Sequence, residues 1–135
     1  MKPRIVKDRE DRIYDYEQWC RKQDNLPVIN IDGIEFRLED GYLKIVGVLE
    51  LTRFDAFITP ADRETAWRRV NNSKHGAILR QVADALGVKA YLVVYLADLS
   101  EFHVRRLSGD ASLPSTWVRM GKARYIRWRR GLSRG

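Results

Sequence analysis

The segment IDGIEFRLEDGYLKIVGVLELTR, residues 31–53, decides the predicted fold. It contains most of two runs rich in β-branched and apolar side chains, Val28–Leu38 and Tyr42–Leu51, which are separated by Glu39–Gly41. Two such runs joined by a short acidic segment that ends in glycine are typical of a β-hairpin. The sequence therefore predicts two antiparallel strands connected by a tight turn.

Two carboxylates of this hairpin are predicted to converge. With a three-residue loop, Asp32 faces Val48, and Glu50 lies diagonally from Asp32 on the same face of the sheet. A two-residue loop places the two acids on opposite faces unless a bulge restores the phase. Thr52 shares the face of Glu50 because side chains alternate along a strand. Diagonal neighbours lie ~7–8 Å apart at their backbones, so both carboxylates can reach one divalent cation.

Glu50 needs an explanation because it lies between apolar residues in a strand. A carboxylate in such a run is costly unless it is paired, hydrogen-bonded or bound to a metal. It is either part of a functional site or a strand-end acid that pairs with Arg53 or lies at an exposed edge. Asp32 alone is weaker support, since an Asp-Gly pair usually marks a turn or a bulge.

Further elements are predicted on both sides of the hairpin. Apolar residues recur at three- and four-residue spacings before it, and Ser73 and Gly87 have the positions of an N-cap and a helix terminator after it. The segment Phe54–Ile58 is either a short extension of the sheet or a loop. The other predicted elements are a first helix over Lys7–Asp24 with Cys20 in its core face, a helical piece over Asp62–Val70, a helix after Ser73, a buried strand over Val88–Leu96 and a strand over Phe102–Leu107.

Length and composition limit the class of protein. The chain has 135 residues, of which 44% are hydrophobic and 32% are charged, a balance typical of one folded domain. No stretch approaches the ~18 apolar residues of a membrane span, and the charged amino terminus differs from a secretory signal. The single cysteine excludes an internal disulfide and a cysteine-based zinc site. We therefore expect a soluble cytoplasmic protein with no membrane partner.

The excess of positive charge is confined to the end of the chain. The net charge is +7, and residues 118–135 contain seven basic residues and no acid. Guanidinium groups pair with phosphates and aromatic rings stack on bases, so nucleic acid is the leading expected partner. A solubilising basic tail and a tail that binds a membrane surface are the alternatives. The residues predicted to bind nucleic acid here are Arg119, Lys122, Arg124, Arg127, Trp128, Arg129 and Arg130.

The hairpin and the elements around it resemble the PD-(D/E)XK nuclease superfamily. The motif of that superfamily is an Asp, a variable spacer, a second acid, any residue and usually a lysine; Asp32 and Glu50 match the two acids. The resemblance covers about Lys7 to Leu107 and implies an α/β (α+β) fold of the restriction-endonuclease type. Its expected αββ(β)αβ core has a mixed central sheet flanked by helices. We expect this domain over residues 1–117, with the basic segment 118–135 belonging to it.

The resemblance also implies a metal-dependent endonuclease. Asp32, Glu50 and the backbone carbonyl of Leu51 would hold Mg²⁺ or Mn²⁺, which positions a phosphate and lowers the pKa of an attacking water. The expected reaction is hydrolysis of phosphodiester bonds, with DNA as the expected substrate. Glu17 resembles an additional catalytic acid that many members place on the first helix; the alternative is an ordinary solvated helix acid.

Thr52 departs from the family pattern. It stands where the usual lysine would be and has no positive charge to offer the nucleophile or the scissile phosphate. Lys74 in the second helix is the candidate that would supply this charge. His75 and Gln81 of the same helix are expected to contact the nucleic acid, His75 having the alternative of a plain surface histidine.

Three functions remain open on these grounds. One is a small nuclease, which would act as a homodimer if it cuts both strands of a duplex. The second is a catalytically inactive nucleic-acid-binding domain of the same fold, which would bind equally well in a chelator. The third, a protein-interaction module with a basic tail, predicts little salt-dependent affinity for nucleic acid.

Overall fold

Five strands and three helices form the part of the chain that the structure describes. The structure is a computed structural model that describes residues 31–108 and 116–132, together with Gln18, Trp19 and Lys22. The elements are, in chain order, β1 (Gly33–Glu39), β2 (Tyr42–Phe54), α1 (Pro60–Asn71), α2 (Lys74–Leu86), β3 (Lys89–Leu96), β4 (Glu101–Arg106), β5 (Val118–Gly121) and α3 (Lys122–Gly131).

The strands form one mixed sheet in the order β1-β2-β3-β4-β5. Strands β2 and β3 are parallel, and the other neighbouring pairs are antiparallel. A parallel pair needs a crossover connection, which α1 and α2 supply. The prediction of an α+β fold with a mixed central sheet flanked by helices is confirmed at this level.

The chain divides into two compact units, Met1–Asn30 and Ile31–Gly135. Gln18, Trp19 and Lys22 of the first unit have helical backbone, within the helix predicted there. The predicted roles of Glu17 and Cys20 fall outside the described residues. The five-stranded sheet and the three helices all belong to the second unit.

The turn of the hairpin is shorter than the three-residue loop considered from the sequence. Glu39 pairs directly with Tyr42, so the turn has only two residues, Asp40 and Gly41, and both have positive φ, as a type I′ turn requires. A β-bulge then restores the phase between the two strands. Glu35 pairs with Gly47 while the following residue, Phe36, pairs with Ile45, which leaves Val46 as the extra residue.

Local capping explains where the two crossover helices begin and end. Thr59 and Asp62 form a reciprocal capping box at the start of α1, and this helix is longer than the predicted piece over Asp62–Val70. Ser73 caps α2 as predicted, and Gly87 ends α2 in the left-handed conformation. The segment from Asp55 to Thr59 is a loop, and β2 extends as far as Phe54.

Side chains of the sheet pack into a separate apolar cluster on each face. Val48, Leu92 and Val94 pack with Leu79 of α2 on one face. Their strand neighbours Leu49 and Val93, together with Val104 and Met120, pack with Tyr125 of α3 on the other. Helices α1 and α2 therefore cover one face of the sheet, and α3 covers the opposite face.

The basic segment at the end of the chain is an integral part of the second unit. Its described residues form β5, which pairs with β4, and α3, which packs on the sheet through Tyr125 and Trp128. This segment was predicted to belong to the same domain, and neither β5 nor α3 was predicted within it. Among the helices that the structure describes, none has the length and apolar character to cross a membrane.

Candidate functional site

Asp32 and Glu50 meet at the start of β1. Gly33 pairs with Leu49, so in this register the next position along each strand brings Asp32 opposite Glu50. The bulge at Val46 makes this possible, because without it the two-residue turn would put the two acids on opposite faces. The convergence predicted from the sequence is therefore present, although the acids are opposite each other rather than diagonal.

Asp32 is tied to the strand that carries Glu50. Its Oδ2 accepts a hydrogen bond of 3.0 Å from the backbone N–H of Leu51. The N–H and C=O groups of one strand residue point toward the same neighbouring strand. The carbonyl of Leu51 therefore also faces the edge where Asp32 lies.

Glu50 is held by a histidine from the facing helix. Oε2 of Glu50 lies 2.9 Å from Nε2 of His75, the second residue of α2. The side chain of Glu50 is 15% exposed and that of His75 is 30% exposed, so the pair is only partly shielded from water. The expected alternative, a pair between Glu50 and Arg53, is absent: Arg53 instead lies 3.7 Å from Asp55.

A close contact between α1 and α2 sets the position of His75. The Oγ of Ser73 accepts a hydrogen bond from Gly76 N–H and donates one to the carbonyl of Val70 at the end of α1. A Cβ at position 76 would overlap that carbonyl oxygen, so the approach requires glycine. Ser73 and Gly76 thus hold the first turn of α2, and with it His75, against the sheet.

The environment of Glu50 favours its protonated form. Burial, foremost, and the charge of Asp32 raise the pKa of Glu50 from 4.5 to about 7, and the hydrogen bond from His75 opposes this rise. The exposed carboxylate of Asp32 and the half-buried carboxylate of Glu50 repel each other, and a shared proton or a cation relieves the repulsion. Glu50 therefore lies where a positively charged ligand would be favourable.

The donor set suits a hard divalent cation. Carboxylate and carbonyl oxygens are the ligands that Mg²⁺ and Mn²⁺ prefer, and Asp32, Glu50 and the Leu51 carbonyl provide them at one edge of the sheet. Within residues 31–108 and 116–132 and the three helical residues, no group of three His, Cys, Asp or Glu side chains is close enough to hold a metal ion. The site would thus depend on two carboxylates, a carbonyl and water.

The other residues predicted for this site have different positions. Thr52 is half-buried on the same face as Glu50, as predicted. Lys74 is exposed at the start of α2, and its neighbour His75 rather than Lys74 contacts Glu50. Gln81 is exposed on the side of α2 away from the buried Leu79, since the two residues are about half a helical turn apart. The structure therefore does not bring Gln81 to the site.

A second polar cluster lies on the same face of the sheet, beside α1. Nδ1 of His103 is 3.2 Å from a guanidinium nitrogen of Arg63, and its Nε2 is 2.9 Å from Oε1 of Glu101. Because Arg63 can only donate, Nδ1 accepts and the imidazole is neutral. Burial, foremost, lowers the pKa of His103, with Glu101 opposing and Arg63 and Arg119 reinforcing the effect.

Several residues of the basic segment have structural roles. Arg119 pairs with Glu101 at 2.7 Å. Arg129 forms an ion pair with Glu35, a carboxylate that is only 6% exposed and that also lies 3.1 Å from Arg37. The predicted nucleic-acid contact of Arg129 must compete with this ion pair.

Trp128 is half-buried, and its ring packs edge-on against Tyr91 at a centroid distance of 5.0 Å. The stacking of Trp128 on bases was expected because tryptophan was interleaved with arginine, a pattern that does not reveal packing.

Lys122, Arg124, Arg127 and Arg130 are exposed on α3. That these four residues bind nucleic acid remains a prediction.

Lys89 and Arg106 were not predicted to act together with the basic segment. Lys89 begins β3 and Arg106 ends β4, and both line the same groove as Arg124 and Arg127. Only the antiparallel pairing of β3 with β4 brings them there.

Compared with known protein families, with curated proteins and with solved structures, the chain has no match.

Proposed function

We propose that the protein hydrolyses phosphodiester bonds of nucleic acid, DNA being the expected substrate, with Mg²⁺ or Mn²⁺ bound at the hairpin. The observation that carries the proposal is the convergence of Asp32 and the half-buried Glu50 across β1 and β2. A purely structural acid pair in this position would be costly, because each charge opposes ionisation of the other. A bound divalent cation removes that cost.

Three groups of the chain would hold the metal: the carboxylates of Asp32 and Glu50 and the carbonyl of Leu51. Bound there, Mg²⁺ would polarise a phosphate and lower the pKa of an attacking water. Asp32 accepts the N–H of Leu51, which fixes its carboxylate relative to the strand. His75 stabilises the ionised form of Glu50 through its hydrogen bond, and this is the form that binds a cation.

His75 is the best placed of the residues near Glu50 to supply positive charge to a phosphate. The family pattern expects a lysine where Thr52 stands, and Lys74 was the predicted substitute. His75 contacts Glu50 directly and is partly exposed, so its ring can also contact a phosphate beside the acid pair. We assign that role to His75 in place of Lys74.

The order of the elements also supports the proposal. Strands β1 and β2, helices α1 and α2 and strand β3 follow one another, with β2 and β3 parallel. The resemblance to PD-(D/E)XK nucleases implies strands, one helix and a strand in this order, so α1 is an additional helix. Both acids lie on the hairpin, and the helix that faces them lies on the crossover between the parallel strands. The order of the elements supports the proposal, but the convergence of Asp32 and Glu50 remains the observation on which it depends.

The test is a cleavage assay. Labelled single-stranded, duplex and branched DNA, and RNA, are incubated with the protein in Mg²⁺, Mn²⁺ or EDTA. We expect cleavage of at least one substrate that requires metal and falls to the level in EDTA in Asp32→Asn and Glu50→Gln. Glu39→Gln is the matched control, because it removes one exposed carboxylate from the same hairpin.

A neighbouring pair of variants tests the role of the helix. His75→Gln is expected to slow cleavage more than Lys74→Gln, since only His75 contacts Glu50. Cleavage that persists in Glu50→Gln, or that falls equally in Glu39→Gln, would overturn the assignment of the site. Equal effects of the two helix variants would remove His75 from its proposed role.

The second candidate is a nucleic-acid-binding domain without catalytic activity. The uncharged Thr52 beside the acid pair favours it, because the position lacks the usual cation. Such a domain would bind nucleic acid with the same affinity in Mg²⁺ and in EDTA and cut none of the substrates. Binding of this kind by the parent protein would favour this function over the nuclease.

A further inference from the structure

A basic groove lies between α3 and the sheet, on the face opposite to Asp32 and Glu50. Its volume is ≈ 630 Å³, within the usual range of ligand pockets, and Tyr91 and Trp128 contribute aromatic surface. Four basic residues from three elements line it: Lys89 of β3, Arg106 of β4, and Arg124 and Arg127 of α3.

Three of the four basic residues of this groove have no acidic partner in the described part of the chain. None of its described lining residues is Asp or Glu. Lys89, Arg124 and Arg127 form no ion pair with a residue that the structure describes, whereas Arg119 and Arg129 are paired with Glu101 and Glu35. Unbalanced positive charge in a concave site attracts anions.

Helix geometry directs the two arginines to the same side. Arg124 and Arg127 are three residues apart, and residues at this spacing are neighbours on a helix surface. Trp128, one residue further, packs on the sheet and fixes the orientation of the helix. The two guanidinium groups are therefore presented together beside the strand residues Lys89 and Arg106.

The groove continues into a second hollow of ≈ 770 Å³. The two share Lys89, Tyr91 and Trp128 as a common wall, and the second adds Lys44 of β2. The described lining of the second hollow also lacks Asp and Glu. Cations thus follow an extended concave path, which suits a chain of phosphates better than a single one.

We infer that this groove binds the sugar-phosphate backbone of nucleic acid, as a second contact surface separated from the acid site by the thickness of the sheet. A membrane surface is a poorer fit, because the cations line a concave path rather than a flat or convex face rimmed with apolar side chains. The inference rests on the proposed function for the identity of its ligand. It adds that one nucleic acid must pass around an edge of the sheet to contact both faces.

The test measures binding in EDTA, so that its outcome does not depend on cleavage. Fluorescence anisotropy of labelled single-stranded and duplex oligonucleotides is recorded between about 50 and 300 mM NaCl. The groove variant is Arg124→Ala with Arg127→Ala. The matched control is Arg68→Ala with Arg69→Ala, which removes the same charge from exposed positions of α1 on the other face.

We expect the groove variant to bind about tenfold more weakly at moderate salt and its slope of log K against log[NaCl] to become shallower by about 1.4–1.8, as for the loss of two phosphate contacts. The control should stay within about twofold of the parent, since its charges are outside the groove. Lys89→Gln, on a different element, should lower the affinity in the same direction. A thermal melt of each variant verifies folding.

Equal weakening in the groove variant and the control would overturn the inference, because bulk charge would then explain the binding. So would a parent protein that binds no oligonucleotide in EDTA, or that binds only vesicles of phosphatidylserine and phosphatidylcholine. Groove-dependent binding without cleavage under any condition would sink the proposed nuclease and leave this surface intact. If the groove variant retained metal-dependent cleavage in full and bound with unchanged affinity, the groove would be overturned as a binding surface and the proposed nuclease would stand.

Discussion

Glu50 and His75, which are 25 residues apart in the chain, share a hydrogen bond of 2.9 Å between Oε2 and Nε2. The bond connects the hairpin to the first turn of α2, and it opposes the effects of burial and of Asp32 on the pKa of Glu50. The position of Glu50 is therefore determined by contacts from two sides, the opposing strand and the crossover helix. That arrangement makes Glu50 the most informative residue of the protein to change.

The first prediction concerns stability and pH. The pKa of Glu50 rises from 4.5 to about 7 in the folded protein. Between pH 4.5 and about pH 7, Glu50 therefore keeps its proton in the folded state and loses it in the unfolded state. The parent should lose stability as pH rises through this window, whereas Glu50→Gln should not. Urea unfolding without metal should show the variant more stable than the parent at about pH 8, by on the order of 2 kcal/mol, with the difference shrinking toward about pH 5. A difference that is constant with pH would show that Glu50 is not perturbed.

The second prediction tests the contact that positions His75. A methyl group at position 76 would overlap the carbonyl of Val70, so Gly76→Ala should lower the free energy of unfolding by about 1–3 kcal/mol. Gly131→Ala is the control, because a Cβ there meets nothing within 4 Å, and its effect should stay within about 0.5 kcal/mol. Chemical denaturation measures both variants. Equal stability of the two would contradict the close approach of α1 and α2.

The third prediction concerns His103. Its pKa lies below the usual 6.5 in the folded protein, because burial foremost and the charges of Arg63 and Arg119 disfavour the imidazolium, against the effect of Glu101. The unfolded state therefore binds the proton first, and stability due to His103 is lost as pH falls from 6.5 through the lowered value. His103→Gln, made in the Glu50→Gln background to remove the opposite trend of Glu50, should flatten this loss. Parallel pH profiles with and without His103 would refute the assignment.

The fourth prediction separates structure from binding in the basic segment. Arg129→Ala leaves the buried carboxylate of Glu35 with Arg37 as its remaining ion-pair partner in the described part of the chain, and should destabilise the protein by about 2 kcal/mol. Arg127→Ala, from the exposed side of the same helix, should change stability by less than about 0.5 kcal/mol. In oligonucleotide binding the order should be reversed, with Arg127→Ala the more harmful. If Arg129→Ala and Arg127→Ala had the same effects on stability and on binding, the ion pair between Arg129 and Glu35 would not have the structural role assigned to it.

Local sequence signals were sufficient for much of the fold. The two apolar, β-branched runs on either side of Glu39–Gly41 predicted the hairpin, and Ser73 and Gly87 predicted both ends of α2. These features depend on residues within a few positions of one another. The order of strands and helices followed from them, whereas the mixed central sheet was expected only from the resemblance to PD-(D/E)XK nucleases.

The register of the hairpin could not be predicted in the same way. The bulge at Val46 has no marker in the sequence: the residue is an ordinary apolar strand residue, and the shift only appears when both strands are aligned. The same holds for tertiary partners. Nothing near His75 indicates that it contacts Glu50, and nothing near Trp128 indicates that it packs on Tyr91.

Binding of a divalent cation by Asp32 and Glu50 is measured by a titration with Mn²⁺ followed by electron paramagnetic resonance of the free ion. It is made without nucleic acid at about pH 8, above the raised pKa of Glu50, so that the carboxyl group of Glu50 is ionised. The parent and Glu39→Gln should bind Mn²⁺ at one site that is lost in Asp32→Asn and in Glu50→Gln. Equal binding by all four proteins, or none by the parent, would contradict a metal site at the hairpin.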